Sequence, residues 1–108
     1  MTLPADGKLV RDLIPEIVGA QGATFDNVIL DEEDMWEALN LKLIEESHEL
    51  REAEGANRIE EMADVYEVLL SLVAVEGVSI DAVLQAAEEK RKERGGFGQR
   101  IWMSNYRP

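Results

Sequence analysis

The chain has 108 residues, 45% of them hydrophobic, enough for one globular domain around a modest core. It contains no cysteine and a single histidine, His48, which excludes disulfides, thiolate metal sites, cysteine nucleophiles and multi-histidine zinc sites. Twenty-three acids against eleven Lys/Arg give a net charge of −12, which argues against nucleic acid or an anionic membrane as partner.

Residues 1–7 read as a loose terminus. KLVRDLIPEIVGAQG (8–22) predicts a turn and a short helix, with Pro15 near its first turn and Gly22 ending it. Residues 23–30 read as an extended connector. A long helix is expected from about Asp31 to Glu54, capped by Asp31 and stopped by Gly55. Asn57 is the expected cap of the next helix, about Arg58 to Glu76, which Gly77 ends. Ser79 is placed to cap a fourth helix, about 80–94, before Gly95-Gly96. The tail, 97–108, is aromatic and irregular, suited to covering an open face or pairing with a partner chain. The short 55–57 connection makes the two long helices antiparallel neighbours. The expected fold class is therefore all-α: a single domain, an antiparallel bundle of about four helices, completed by oligomerisation. No apolar run approaches the roughly 20 residues that span a bilayer. The N-terminus lacks the basic-then-apolar order of a signal peptide, so the expected location is the cytoplasm.

Acids interrupt both long helices where core residues are expected. At about 100° per residue, Met35, Leu39, Leu43, Leu50 and Ala53 share one side of the first long helix. Glu46 falls within that stripe, Glu49 and Lys42 at its edge, and Glu45 on its flank. On the next helix Ile59, Met62, Tyr66, Leu69 and Val73 form one apolar stripe, and Val65, Val68, Leu72 and Val75 form a second. A helix apolar on two faces is expected to be sandwiched in a bundle or oligomer. Glu61 and Asp64 interrupt the second face.

Glu46 with Glu49, and Glu61 with Asp64, are each spaced i, i+3, so the members of each pair point the same way. Both pairs lie toward the connection between the helices and can face each other. Four carboxylates converging in a partly buried place repel and are poorly solvated, which a divalent cation resolves. All-oxygen ligation suits Mg²⁺ or Mn²⁺, and Mg²⁺ keeps waters and meets substrate phosphates. Taken singly, each acid also reads as an ordinary intrahelical ion pair: Glu46 or Glu49 with Lys42 or Arg51, and Glu61 with Arg58. The matched spacing on adjacent helices favours the site. His48 points away from the acid face and reads as a surface residue. Tyr66, Met35, Met62 and Met103 read as packing residues.

The apolar face of the fourth helix, Ile80, Val83, Leu84 and Ala87, continues into Arg91 and Arg94, with Lys90 at its edge. KRKERGGFGQR is a basic stretch in an acidic chain, suited to binding phosphates, with Phe97 placed to stack on a base. It reads equally well as a helix C-terminus decorated with cations to suit the dipole. Lys8 and Arg11 add two cations near the N-terminus, Arg11 within reach of Asp12 or a core glutamate.

EESHE (45–49) followed by EEMAD (60–64) gives E-E-x-x-E…E-x-x-D, which resembles the motif of the all-α NTP pyrophosphatase superfamily, the MazG-like proteins. KLVRDLIPEI (8–17) and KRKERGGFGQRI (90–101) resemble the opening and closing segments of its short, single-domain house-cleaning branch. The resemblance implies Mg²⁺, or Mn²⁺ in its place, held by Glu46, Glu49, Glu61 and Asp64. It also implies hydrolysis of nucleoside triphosphates to monophosphate and pyrophosphate. Glu45 matches the motif's first acid, implying a role beside the metal ligands or in activating water; with Glu46 and Glu49 it makes up the implied catalytic set. Lys90, Arg91 and Arg94, with Lys8 and Arg11, are the implied substrate-binding cations, and a homodimer or homotetramer is the implied assembly. Leu13 stands where the opening segment commonly has a lysine. Two other readings remain open: a phosphoribosyl-ATP pyrophosphohydrolase of the same superfamily, and a non-catalytic acidic module that binds or oligomerises. The preferred base is not legible; Trp36, Phe97 and Trp102 are candidate base neighbours whose ordinary role is packing.

Overall fold

The structure, a computed structural model, describes residues 3–108. It is all-helical, with four helices and no strand among the described residues: α1 (Ile14–Ala20), α2 (Glu32–Glu52), α3 (Asn57–Glu76) and α4 (Ile80–Arg94). Pro15 lies at the start of α1, where its missing N–H would have found no partner anyway. Residues 23–30 form no regular element, as a connector should. Asp31 caps α2: its side chain accepts the Asp34 N–H at 2.8 Å, and Glu32, Glu33 and Asp34 in the first turn suit the helix dipole.

The link between α2 and α3 is Ala53–Ala56. Ala53 turns extended, and the Arg58 Nε donates back to the Ala53 carbonyl at 3.2 Å, tying the turn shut. This bond also takes Arg58 away from the intrahelical pair with Glu61 that its spacing permits. Asn57 is not the cap that its residue type predicts. Ala56 before it already has helical angles and no side-chain cap, so Asn57 is the first helical residue. Gly77 closes α3 at φ 79°, in the left-handed region where glycine carries no Cβ penalty.

The core lies where α2 and α3 pack together. Leu39, Ala38, Val68 and Val73 are buried, ringed by half-buried Met35, Leu43, Leu50, Val65, Leu72 and Val75. Burying side chains such as Leu39 and Val68 contributes about 1.5–3 kcal/mol each. The α2 stripe read from the sequence is thus the inward face. Of the two apolar faces of α3, the one bearing Glu61 and Asp64 turns toward α2. The other is open along most of its length: Ile59, Met62, Tyr66 and Leu69 are 72, 55, 57 and 40% exposed, while its last member, Val73, is buried. Met62 and Tyr66 are therefore more than half exposed, contrary to the expected packing role, because they lie away from the face of α3 that α2 covers. Met103 is exposed as well, whereas Met35 packs as expected.

Gly77 also ends the first of two compact units; the second is Val78–Pro108. In the second unit Ser79 caps α4 by accepting the Ala82 N–H at 3.2 Å. Ile80 and Val83 are half-buried, while Leu84 and the tail aromatics Phe97, Trp102 and Tyr106 are exposed. No described helix is long and apolar enough to cross a membrane.

Candidate metal centre

The α2–α3 hairpin brings one residue of α2 and two of α3 to a point. Carboxylate oxygens of Glu46, Glu61 and Asp64 lie within 4.8 Å of one another. The cause is geometric: Glu61 and Asp64 are one helical turn apart on α3, and Glu46 occupies a core position on the facing helix. Glu46 is 6% exposed, the burial of a leucine rather than a glutamate. Its Oε2, and the Oε2 of half-buried Glu61, have no hydrogen-bond partner. An unsatisfied buried carboxylate oxygen is costly, and two of them in one cluster ask for a cation.

Burial, aided by the negative charge of Glu49 and Asp64, raises the Glu46 pKa above the ordinary carboxylate value, although Lys42 opposes the shift. Desolvation also raises that of Glu61, followed by the charges of Glu49, Asp64 and Glu46 and a hydrogen bond with Glu49. Glu49 thus stands against Glu61 at the edge of the cluster, itself exposed and outside the closest trio.

Two cations of the chain sit on this cluster. Lys42 Nζ lies 3.3 Å from both Glu45 Oε2 and Glu46 Oε1, reaching along its own helix. The intrahelical pairing open to Glu46 in the sequence is therefore formed, and it satisfies one of that residue's two oxygens. Burial pulls the Lys42 pKa down, but its bonds to Glu45 and Glu46 outweigh this and raise it. Arg11 comes from the segment before α1. Its Nη2 donates to Asp64 Oδ1 at 2.7 Å, and its Nη1 is 3.9 Å from Glu67. The hydrogen bond to Asp64 raises the Arg11 pKa, so the guanidinium stays charged. Glu67 was not singled out in the sequence. The signal was there, since it repeats the i, i+3 step from Asp64.

Glu46, Asp64 and Glu67 line an open cleft of about 500 Å³ between α2, α3 and residues 9–17, which Glu61 does not border. That size falls among small-ligand clefts, which run to about 300–1,000 Å³. Arg11 and Lys42 also border a second groove of about 650 Å³, lined by Lys8, Phe25, Leu41 and Glu45. Glu45 thus borders this groove rather than the cleft of Glu46 and Asp64, and is not one of the trio. His48 is exposed, as expected, and belongs to neither cleft. Lys90, Arg91 and Arg94 are exposed residues of the second unit, and Lys92 pairs with Glu88 at 3.4 Å.

The donor set is all oxygen, with no sulfur and no imidazole, which fits a hard divalent cation such as Mg²⁺ or Mn²⁺. Two orphaned carboxylate oxygens in the trio supply the independent sign of that fit. No protein family, curated protein or solved structure matches this chain.

Proposed function

We propose that this chain is a metal-dependent nucleoside triphosphate pyrophosphohydrolase, the activity its motif resemblance implies. The observation that carries the reading is Glu46: a carboxylate buried to 6% exposure, with an unpartnered oxygen, facing two other carboxylates and bordering an open cleft. Glu46, Glu61 and Asp64 would hold Mg²⁺, with Glu49 beside them. When bound, the ion supplies charge neutralisation of phosphate oxygens and acidification of water. The chain supplies the rest. Water adds across the α–β phosphoanhydride, the bond to the bridging oxygen breaks, and monophosphate and pyrophosphate separate. Glu49 at the cluster's edge, or Glu45, linked to Glu46 through Lys42, accepts the water proton. In this proposal Lys90, Arg91 and Arg94 are phosphate-binding cations, as the matching basic segment implies. A second copy of the chain covers the open stripe of α3.

The test is product analysis with a panel of canonical and modified nucleoside triphosphates, with and without Mg²⁺. The expected result is Mg²⁺-dependent monophosphate plus pyrophosphate. Diphosphate plus phosphate would place the broken bond elsewhere. No turnover of any triphosphate would defeat the proposal.

A further inference from the structure

Arg11 occupies an oxygen that a metal ion needs. Its Nη2–Asp64 Oδ1 bond at 2.7 Å is the shortest ion pair of the cluster, and it joins residues 53 positions apart. The two cations on the cluster differ in how they are held. Lys42 is one turn from Glu45 and Glu46 on the same helix, and its side chain is 18% exposed, so the helix fixes its position. Arg11 sits in a non-helical segment, its side chain 56% exposed, with one short bond and one contact at 3.9 Å. It is free to swing without disturbing the core. A guanidinium also cannot shed its charge to make room for a dication; it has to move.

We infer that Arg11 is a displaceable counter-ion: divalent cation binding at Glu46, Glu61 and Asp64 releases it from Asp64, and the freed guanidinium then binds the phosphates of the substrate. This rests on the metal-site reading above and adds an order of events to it. Without metal, Arg11 neutralises the acids and narrows the cleft to phosphate. With metal, the same residue becomes a fork-shaped phosphate ligand at the cleft wall that residues 9–13 already form.

The inference predicts effects of opposite sign on two ligands. Metal-stripped full-length protein is titrated with Mn²⁺, free Mn²⁺ being followed by its paramagnetic resonance signal. Inorganic pyrophosphate is then titrated calorimetrically at saturating Mn²⁺. Removing one unit charge at about 5 Å in a solvent-facing site changes affinity by roughly ten-fold. Arg11→Met is expected to bind Mn²⁺ about ten-fold more tightly than wild type and pyrophosphate about ten-fold more weakly. Arg11→Lys, which keeps the charge, is expected to stay near wild type for Mn²⁺. A purely structural arginine would lower both affinities together on removal, and one that orients Asp64 for the metal would weaken Mn²⁺ binding when lost. Either result overturns the inference while leaving the metal site standing. Wild type and Arg11→Met both failing to bind Mn²⁺ would overturn the site and the inference with it.

Discussion

The two units of the molecule carry opposite charge. The first, ending at Gly77, holds nineteen acids against five Lys/Arg, a net −14; the second, Val78–Pro108, holds four against six, a net +2. A chain whose acids served solubility alone would spread them evenly over its helices. Here the acid-rich unit also buries one of its acids and orphans two carboxylate oxygens, while the second unit leaves its cations in solvent. In the proposed function the difference separates two jobs, holding a cation and meeting an anion, each given to its own stretch of chain.

Loss of a ligand in the acidic unit is the most damaging way to probe that division. Glu61→Gln or Asp64→Asn is expected to lower Mg²⁺-dependent turnover by more than about a hundred-fold, beyond the usual cost of losing a residue that merely supports a ligand. Helix content by circular dichroism should stay at the wild-type level. Turnover retained in both variants would remove these residues from the site. A change in the basic unit should act differently. Arg91→Ala combined with Arg94→Ala is expected to cost roughly 10–100-fold in turnover, with Mn²⁺ affinity unchanged. If Mn²⁺ affinity falls as well, the two jobs are not separate.

The smallest effect is one of stability. Glu46 and Glu61 keep their protons to higher pH in the folded protein than in the unfolded chain. Between the ordinary glutamate value and the raised ones, the native state binds more protons. Metal-free stability therefore falls as pH rises through that window. Glu46→Gln mimics the neutral form. Its melting temperature relative to wild type should be a few degrees more favourable at about pH 7.5 than at about pH 4, a gap that Mg²⁺ should close by stabilising ionised Glu46. A gap independent of pH would show that Glu46 titrates normally.

Local features of this fold were legible because they depend on local chemistry. Asp31 and Ser79 cap as their side chains dictate, Gly77 ends α3, and the α2 wheel placed Glu46 in the core stripe that the structure buries. Failures came where longer-range geometry decides. Asn57 lost its capping role to the turn conformation of Ala56. Tyr66 and Met62 lie on a stripe whose apolar character is plain from sequence, but no periodicity says which of two stripes faces the partner helix. The Arg11 bond to Asp64 joins distant segments and has no local pattern at all. Helix spacing gives Glu49 the same standing as Glu46; in the structure Glu49 stands against Glu61, outside the closest trio, a distinction that spacing alone does not resolve.

The short link Ala53–Ala56 acts as a ruler. It sets how far α2 slides along α3, and so the gap between Glu46 and the two acids opposite it. One residue of axial slip is about 1.5 Å. Mg²⁺ tolerates little departure from octahedral ligands at about 2.0–2.1 Å, whereas Ca²⁺ accepts looser shells at about 2.3–2.6 Å. If the trio holds an ion as proposed, the length of a surface turn, with its Arg58 tie, governs which ion it prefers, although no residue of that turn belongs to the trio.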